Sequence, residues 1–228
     1  MIRRDYILRM IEEFVQFLAR VSALKQGQHW QQAAGSVAEE CKRLVGADPQ
    51  AVTRLSETEL LAKLIQGGPT QAVHDKTLML AALLKEAGDA ALAQGRQEES
   101  RACYLKGLHL LLGALARGEI FDCPHFVPKI EAFMTALADS PLPLSTLALL
   151  MQHYERTGEF GKAEDALFTM LERERDNPAL LEFGISFYQR LQGRSDNSLE
   201  EGNLPRPELE AGLGELRGRQ AALSARAA

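Results

Sequence analysis

Two stretches of the 228-residue chain repeat one order of glycine, small and bulky residues. ALAQGRQEESRACYLKGL, residues 91–108, and YERTGEFGKAEDALFTML, residues 154–171, align with Gly95 on Gly158 and Ser100 on Ala163. Cys103 then falls on Ala166, Tyr104 on Leu167 and Leu108 on Leu171. A glycine between two helical runs supplies the left-handed backbone that turns one helix back on the next. Small residues at Gly88, Ser100 and Ala163 let the backbones approach, and the Tyr or Leu one turn later fills the space between them. The pattern predicts two helical hairpins.

Helical periodicity continues outside them. Ile7, Met10, Ile11, Phe14, Phe17, Leu18 and Val21 form one stripe over residues 5–24, with Arg9, Glu12, Glu13, Gln16 and Arg20 opposite. Mixed acid and base on the polar side fits a helix docked on protein better than one lying on a membrane. Gly27 is expected to end it. Further helices are predicted for 30–45, 56–66, 70–93, 96–116, 126–138, 145–157, 161–174 and 178–191. Ser56 and Glu59 form a capping box at the start of one. Gly67-Gly68-Pro69-Thr70 lacks the ending of a phosphate loop and reads as a helix stop. No segment alternates as a strand would. The expected fold is all-α, with about nine or ten helices in short-connected, antiparallel neighbours. Residues 1–192 are expected to form one helical domain that includes the N-terminal amphipathic helix. Residues 193–228 are polar and rich in Gly, Pro and Ala, so they predict a short helix near 206–217 followed by a disordered tail.

The paired stretches resemble tetratricopeptide repeats, helix-turn-helix units of about 34 residues. Pro178 after Asp176-Asn177 is similar to the repeat-ending proline, and residues 27–49 look like a third, weaker copy with Trp30, Ala33 and an Asp48-Pro49 ending. The chain departs from the pattern in several places. Met151 and Met170 stand where small residues are usual, Leu112 replaces a terminal proline, and the glycines lie 158 − 95 = 63 apart where two regular repeats give about 68. The resemblance implies a right-handed α-α superhelix, a degenerate solenoid whose inner face can hold a peptide or partner helix. Its inward positions would be Lys85, Asp89 and Leu92 in one unit, and Ala148, Gln152, Glu155 and Arg156 in the other. These lack the dense Lys/Arg clamp that grips a chain terminus. The chain is also similar to a group of bacterial proteins of unknown activity that open like residues 3–14 and close like residues 187–209. That similarity implies a bacterial cytoplasmic protein.

Charge and chemistry narrow the job. A net charge of −5 argues against nucleic-acid or anionic-membrane binding, since both need a basic face. Cys41, Cys103 and Cys123 are odd in number and form no CxxC pair, which fits a reducing cytoplasm, with Cys41 and Cys103 as buried small hydrophobes. Arg3-Arg4 opens no export signal, because Arg9, Glu12 and Glu13 interrupt the apolar run that follows. Cys123-Pro124-His125 could offer two metal ligands only if His29, His74, His109 or His153 joined them, and it reads as a turn. No catalytic, cofactor or metal site is predicted. The expected function is a non-catalytic scaffold for a protein or peptide partner. The alternative is self-association through the N-terminal or C-terminal helices, with Phe14, Phe17 and Trp30 as candidate contacts; a metal- or small-molecule-binding helical enzyme ranks behind both.

Overall fold

The computed structural model describes residues 2–66, 72–117 and 124–227, and among them every regular element is a helix. Twelve are described, two more than the sequence predicts. They fall into two compact units, Met1–Leu142 and Pro143–Ala228.

The first unit holds α1 (Ile2–Gln26), α2 (Trp30–Val45), α3 (Pro49–Arg54), α4 (Glu57–Gln66), α5 (Val73–Ala93), α6 (Gln97–Arg117) and α7 (Ile130–Ala136). The centre is α5, in which every residue from Leu78 to Leu84 is buried. A helix apolar on all sides must be surrounded. Its sides are taken by α6 and α2, and α1 docks through Phe14, Phe17 and Val21. The Phe14 ring meets Phe126 edge-on at 5.1 Å between centroids.

Local chemistry sets the helix ends, with three departures from expectation. The left-handed residue after α1 is Gln28 (φ 59°), not Gly27. Asp48-Pro49, taken as a repeat ending, starts α3 instead. The Asp48 carboxylate accepts the Ala51 N–H at 2.8 Å, and Pro49 occupies the first turn, where its missing N–H costs nothing. The helix predicted over 126–138 shortens to α7, because Pro128 disfavours helical backbone at Val127 and Lys129 stays extended. The capping box forms as predicted: Glu59 accepts the Ser56 N–H at 2.8 Å, and the Glu59 N–H donates to Ser56 Oγ at 3.3 Å.

The two aligned turns close identically. Gly95 (φ 74°) and Gly158 (φ 80°) are both left-handed. The Arg96 N–H donates to Ala91 O at 2.9 Å, and the Glu159 N–H to Tyr154 O at 2.8 Å. The glycine N–H groups donate to Leu92 O and Glu155 O. Each donor and acceptor in one turn matches its counterpart 63 residues on. This is the closure that satisfies the last carbonyls of a helix. Above the first turn, Gly88 faces the Tyr104 ring, and a Cβ there would lie 2.7 Å from it. At the equivalent positions the second pair carries Met151 and Leu167, both buried, so bulk moves from one helix to the other.

The second unit holds α8 (Leu144–Thr157), α9 (Phe160–Arg173), α10 (Pro178–Gln192), α11 (Asp196–Glu201) and α12 (Arg206–Ala227). Here the expected boundary at 192/193 is overturned. Leu199, Leu204, Leu209, Leu213 and Leu216 are all buried, and α12 packs along α10. The segment also closes onto the α8–α9 turn, where the Gly161 N–H donates to Gly202 O at 2.9 Å. In place of a short helix and a disordered tail, α12 runs for 22 residues. Residues 193–228 are therefore part of the unit that starts at Pro143.

Gly202 tests this packing, since a Cβ there would sit 2.5 Å from Gly158 O and 2.3 Å from the Phe160 ring. Gly202→Ala is expected to lower stability by about 1–3 kcal/mol. Gly214→Ala, where the added Cβ meets open space on α12, should be neutral or raise it by up to about 1 kcal/mol. Thermal melts of the two variants side by side check the contrast.

Candidate functional site

Lys85, Asp89 and Leu92 follow one another along a single face of α5, in the first unit. The carboxylates there already have partners within the chain. Lys25, in the last turn of α1, donates to Glu86 at 2.7 Å and to Asp89. Lys85 donates to Asp89 at 2.8 Å and to Glu86 at 3.2 Å, and the Tyr104 hydroxyl, reaching across from α6, donates to Asp89 at 2.8 Å. Two ammonium groups thus neutralise two carboxylates in a half-buried network that ties α1 to α5. Burial disfavours the charge on Asp89, but Lys25, Lys85 and Tyr104 outweigh it and hold the carboxyl below its usual range. Burial likewise opposes the Lys85 ammonium, and its carboxylate partners still keep it above the ordinary lysine range. Burial and then the Asp89 carboxylate push the Tyr104 hydroxyl up, so it remains a donor. Leu92, one turn on, is 52% exposed.

The second unit repeats the device on α8. Glu155 accepts two bonds from Arg190 of α10, at 2.7 Å to Nε and 2.7 Å to Nη2, the two-pronged geometry in which guanidinium and carboxylate match best. Gln152 and Arg156 are exposed and Ala148 is half-buried. The seven predicted residues therefore divide three and four between the units. In each unit an acid from the predicted face serves as a tie to a neighbouring helix.

Sequence reasoning missed two further arrangements. Lys106 of α6 donates to the Leu55 carbonyl at the end of α3 at 2.7 Å, and His109 one turn on meets Glu57 at 2.7 Å, so α6 anchors the α3–α4 corner. Lys76 is buried and donates to the Leu64 carbonyl at 3.2 Å; burial pushes its ammonium below the ordinary lysine range. Periodicity could not have revealed either, because each depends on a group outside the helix that carries it.

Cys41 and Cys103 are free thiols and buried, as expected. Burial pushes both up, Cys103 to about 11, which removes the thiolate that reactive chemistry requires. Among the described residues no three His, Cys, Asp or Glu side chains are grouped to hold a metal ion; Cys123 and the Gly67–Thr70 stop lie outside those residues. Among the described residues no helix is long and apolar enough to cross a membrane.

The fold and these faces define an all-helical protein of paired helices. The model for a family of unknown function (DUF6483) matches residues 1–221, and the chain belongs to that family. Comparison with curated proteins and with solved structures gives no match.

The Asp89 network has a clear pH signature. A carboxyl held below its unfolded value contributes stability that is present above the usual carboxylate range and is lost as pH falls through its folded value. Asp89→Asn is expected to cost about 1–3 kcal/mol at neutral pH, because it leaves two ammonium groups short of a partner. Urea melts should show this difference shrinking toward zero as the buffer is taken below the carboxylate range.

Proposed function

We propose that the chain is a non-catalytic scaffold of the tetratricopeptide-like kind, which holds a protein or peptide partner along the first helices of its pairs. The observation that carries this reading is the bond-for-bond equivalence of the Gly95 and Gly158 turns. It supports two copies of one helix-turn-helix unit, the element from which such solenoids are stacked. The order of packing in the first unit supports it too: α1 pairs with α2, α2 packs on α5, and α5 pairs with α6. A partner at these faces is met by Leu92 in the first unit and by Gln152 and Arg156 in the second, with the Asp89 and Glu155 carboxylates committed to internal ties. Recognition then rests on Leu92, the Gln152 amide and the Arg156 guanidinium instead of a dense Lys/Arg clamp. This reading accords with a bacterial cytoplasmic setting.

The test is affinity capture from the native cell with wild type, Leu92→Asp and Gln152→Asp/Arg156→Glu. Loss of one reproducible partner from variants whose melting temperatures are unchanged supports the reading. Equal recovery from all three sinks it.

Self-association is the second reading. Leu8 and Val15, seven residues apart on α1, are 51% and 45% exposed, an apolar pair on one side of a helix. Light scattering of wild type and Leu8→Asp/Val15→Asp decides it: a dimer that the double variant dissolves supports the reading, and a wild-type monomer at high concentration removes it.

A further inference from the structure

We propose that the exposed Leu8–Val15 side of α1 docks antiparallel into the α1–α2 cleft of a second copy, so that copies of the chain join head to tail. This builds on self-association through Leu8 and Val15 and supplies the surface that receives them. A cleft of about 1100 Å³ opens between α1 and α2, lined by the buried Phe17 and Val21 and by Leu24 and Ala23 beside them. Its charged residues are Arg20, Glu39, Glu40, Lys42 and Arg43. Arg43 is paired with Glu40. Among the described residues Arg20 and Lys42 have no ion-pair partner, and together with Glu39 they leave the cleft net positive.

The chain itself holds the counterpart. Glu12 is exposed, four residues after Leu8 and three before Val15, the spacing that puts all three on one side of α1. It too has no ion-pair partner among the described residues. On the cleft side the spacing runs the other way: Arg20 stands three residues after Phe17 and four before Leu24. Laid antiparallel, the two runs match position for position, Leu8 on Leu24, Glu12 on Arg20 and Val15 on Phe17. Each covers about 10 Å of helix. An apolar–acid–apolar edge thus meets an apolar–cation–apolar one, with Lys42 adding a second cation from α2. Opposite charge at the centre fixes register and orientation, and the apolar residues on either side supply the burial.

The two halves of this contact cannot close within one chain. Leu8 and Phe17 are nine residues apart, as are Val15 and Leu24, and nine residues make about two and a half turns. The stripe and the cleft therefore face opposite ways. A copy whose cleft is filled still presents its own stripe. The contact is heterologous, and it repeats until a ring closes or a filament grows.

Light scattering of the full chain across a concentration series tests this. Wild type should grow past the dimer. Leu8→Asp/Val15→Asp spoils only the stripe and Arg20→Glu/Lys42→Glu only the cleft, and each should raise the apparent dissociation constant by about tenfold or more. Mixed in equal amounts, the two variants should regain tight association and stop at two, since one intact stripe meets one intact cleft. A wild-type mass that stops at two, or a cleft variant that associates as wild type does, overturns head-to-tail docking and leaves self-association through Leu8 and Val15 standing. A mixture that stays monomeric overturns it as well. A wild-type monomer at high concentration removes both readings. Should the cleft variant fail to fold, Ala23→Arg, which fills the cleft from an exposed position, takes its place in every arm.

Discussion

Everything in these two units depends on how the chain reverses after a long helix. At Gly95 and Gly158 one left-handed residue lets the next N–H reach back to a carbonyl five residues earlier. The following helix then starts two residues after the glycine in both copies, at Gln97 and at Phe160. A side chain at either glycine would strain the backbone even though open space surrounds it. The constraint is thus conformational, not steric. That is why it survives while the packing above it changes from Gly88 and Tyr104 to Met151 and Leu167.

The polar residues along the first helices show a second economy. Lys25 to Asp89 and Arg190 to Glu155 each join two helices, α1 with α5 and α8 with α10. Half-buried pairs of this kind contribute modestly to stability, because desolvation offsets much of their attraction. Their greater effect is on register: moving α1 by one turn along α5 would strand Lys25 away from both carboxylates. Two of the residues that a repeat alignment marks as inward-facing, Asp89 and Glu155, are in this chain used to hold helices in step. An alignment reports position on a helix, and only the neighbouring helix decides whether that position is open.

The helices and the paired turns were legible in the sequence because their signals are local. Glycine, capping residues and apolar spacing each act within one or two turns. The α3 helix was hidden because Asp-Pro serves equally well to stop one helix and to start another. The candidate faces were legible as positions but not as surfaces: nothing near Asp89 in sequence announces Lys25, 64 residues earlier. Charge partners across helices leave no periodic trace. The Gly67–Thr70 stop and Cys123 fall outside the described residues.

The C-terminal segment shows where composition misleads. Residues 193–228 are polar on average, yet Leu199, Leu204, Leu209, Leu213 and Leu216 all point into the second unit. Five leucines, each worth about 2 kcal/mol when buried, suffice to order a stretch whose mean character is hydrophilic. They leave the rest of the segment free to carry charge. On α12 that charge sits at Glu208 and Glu215, which stay exposed while Gly212 between them meets the Tyr188 hydroxyl. An average over residues hides that division, and only the buried face decides whether a helix docks.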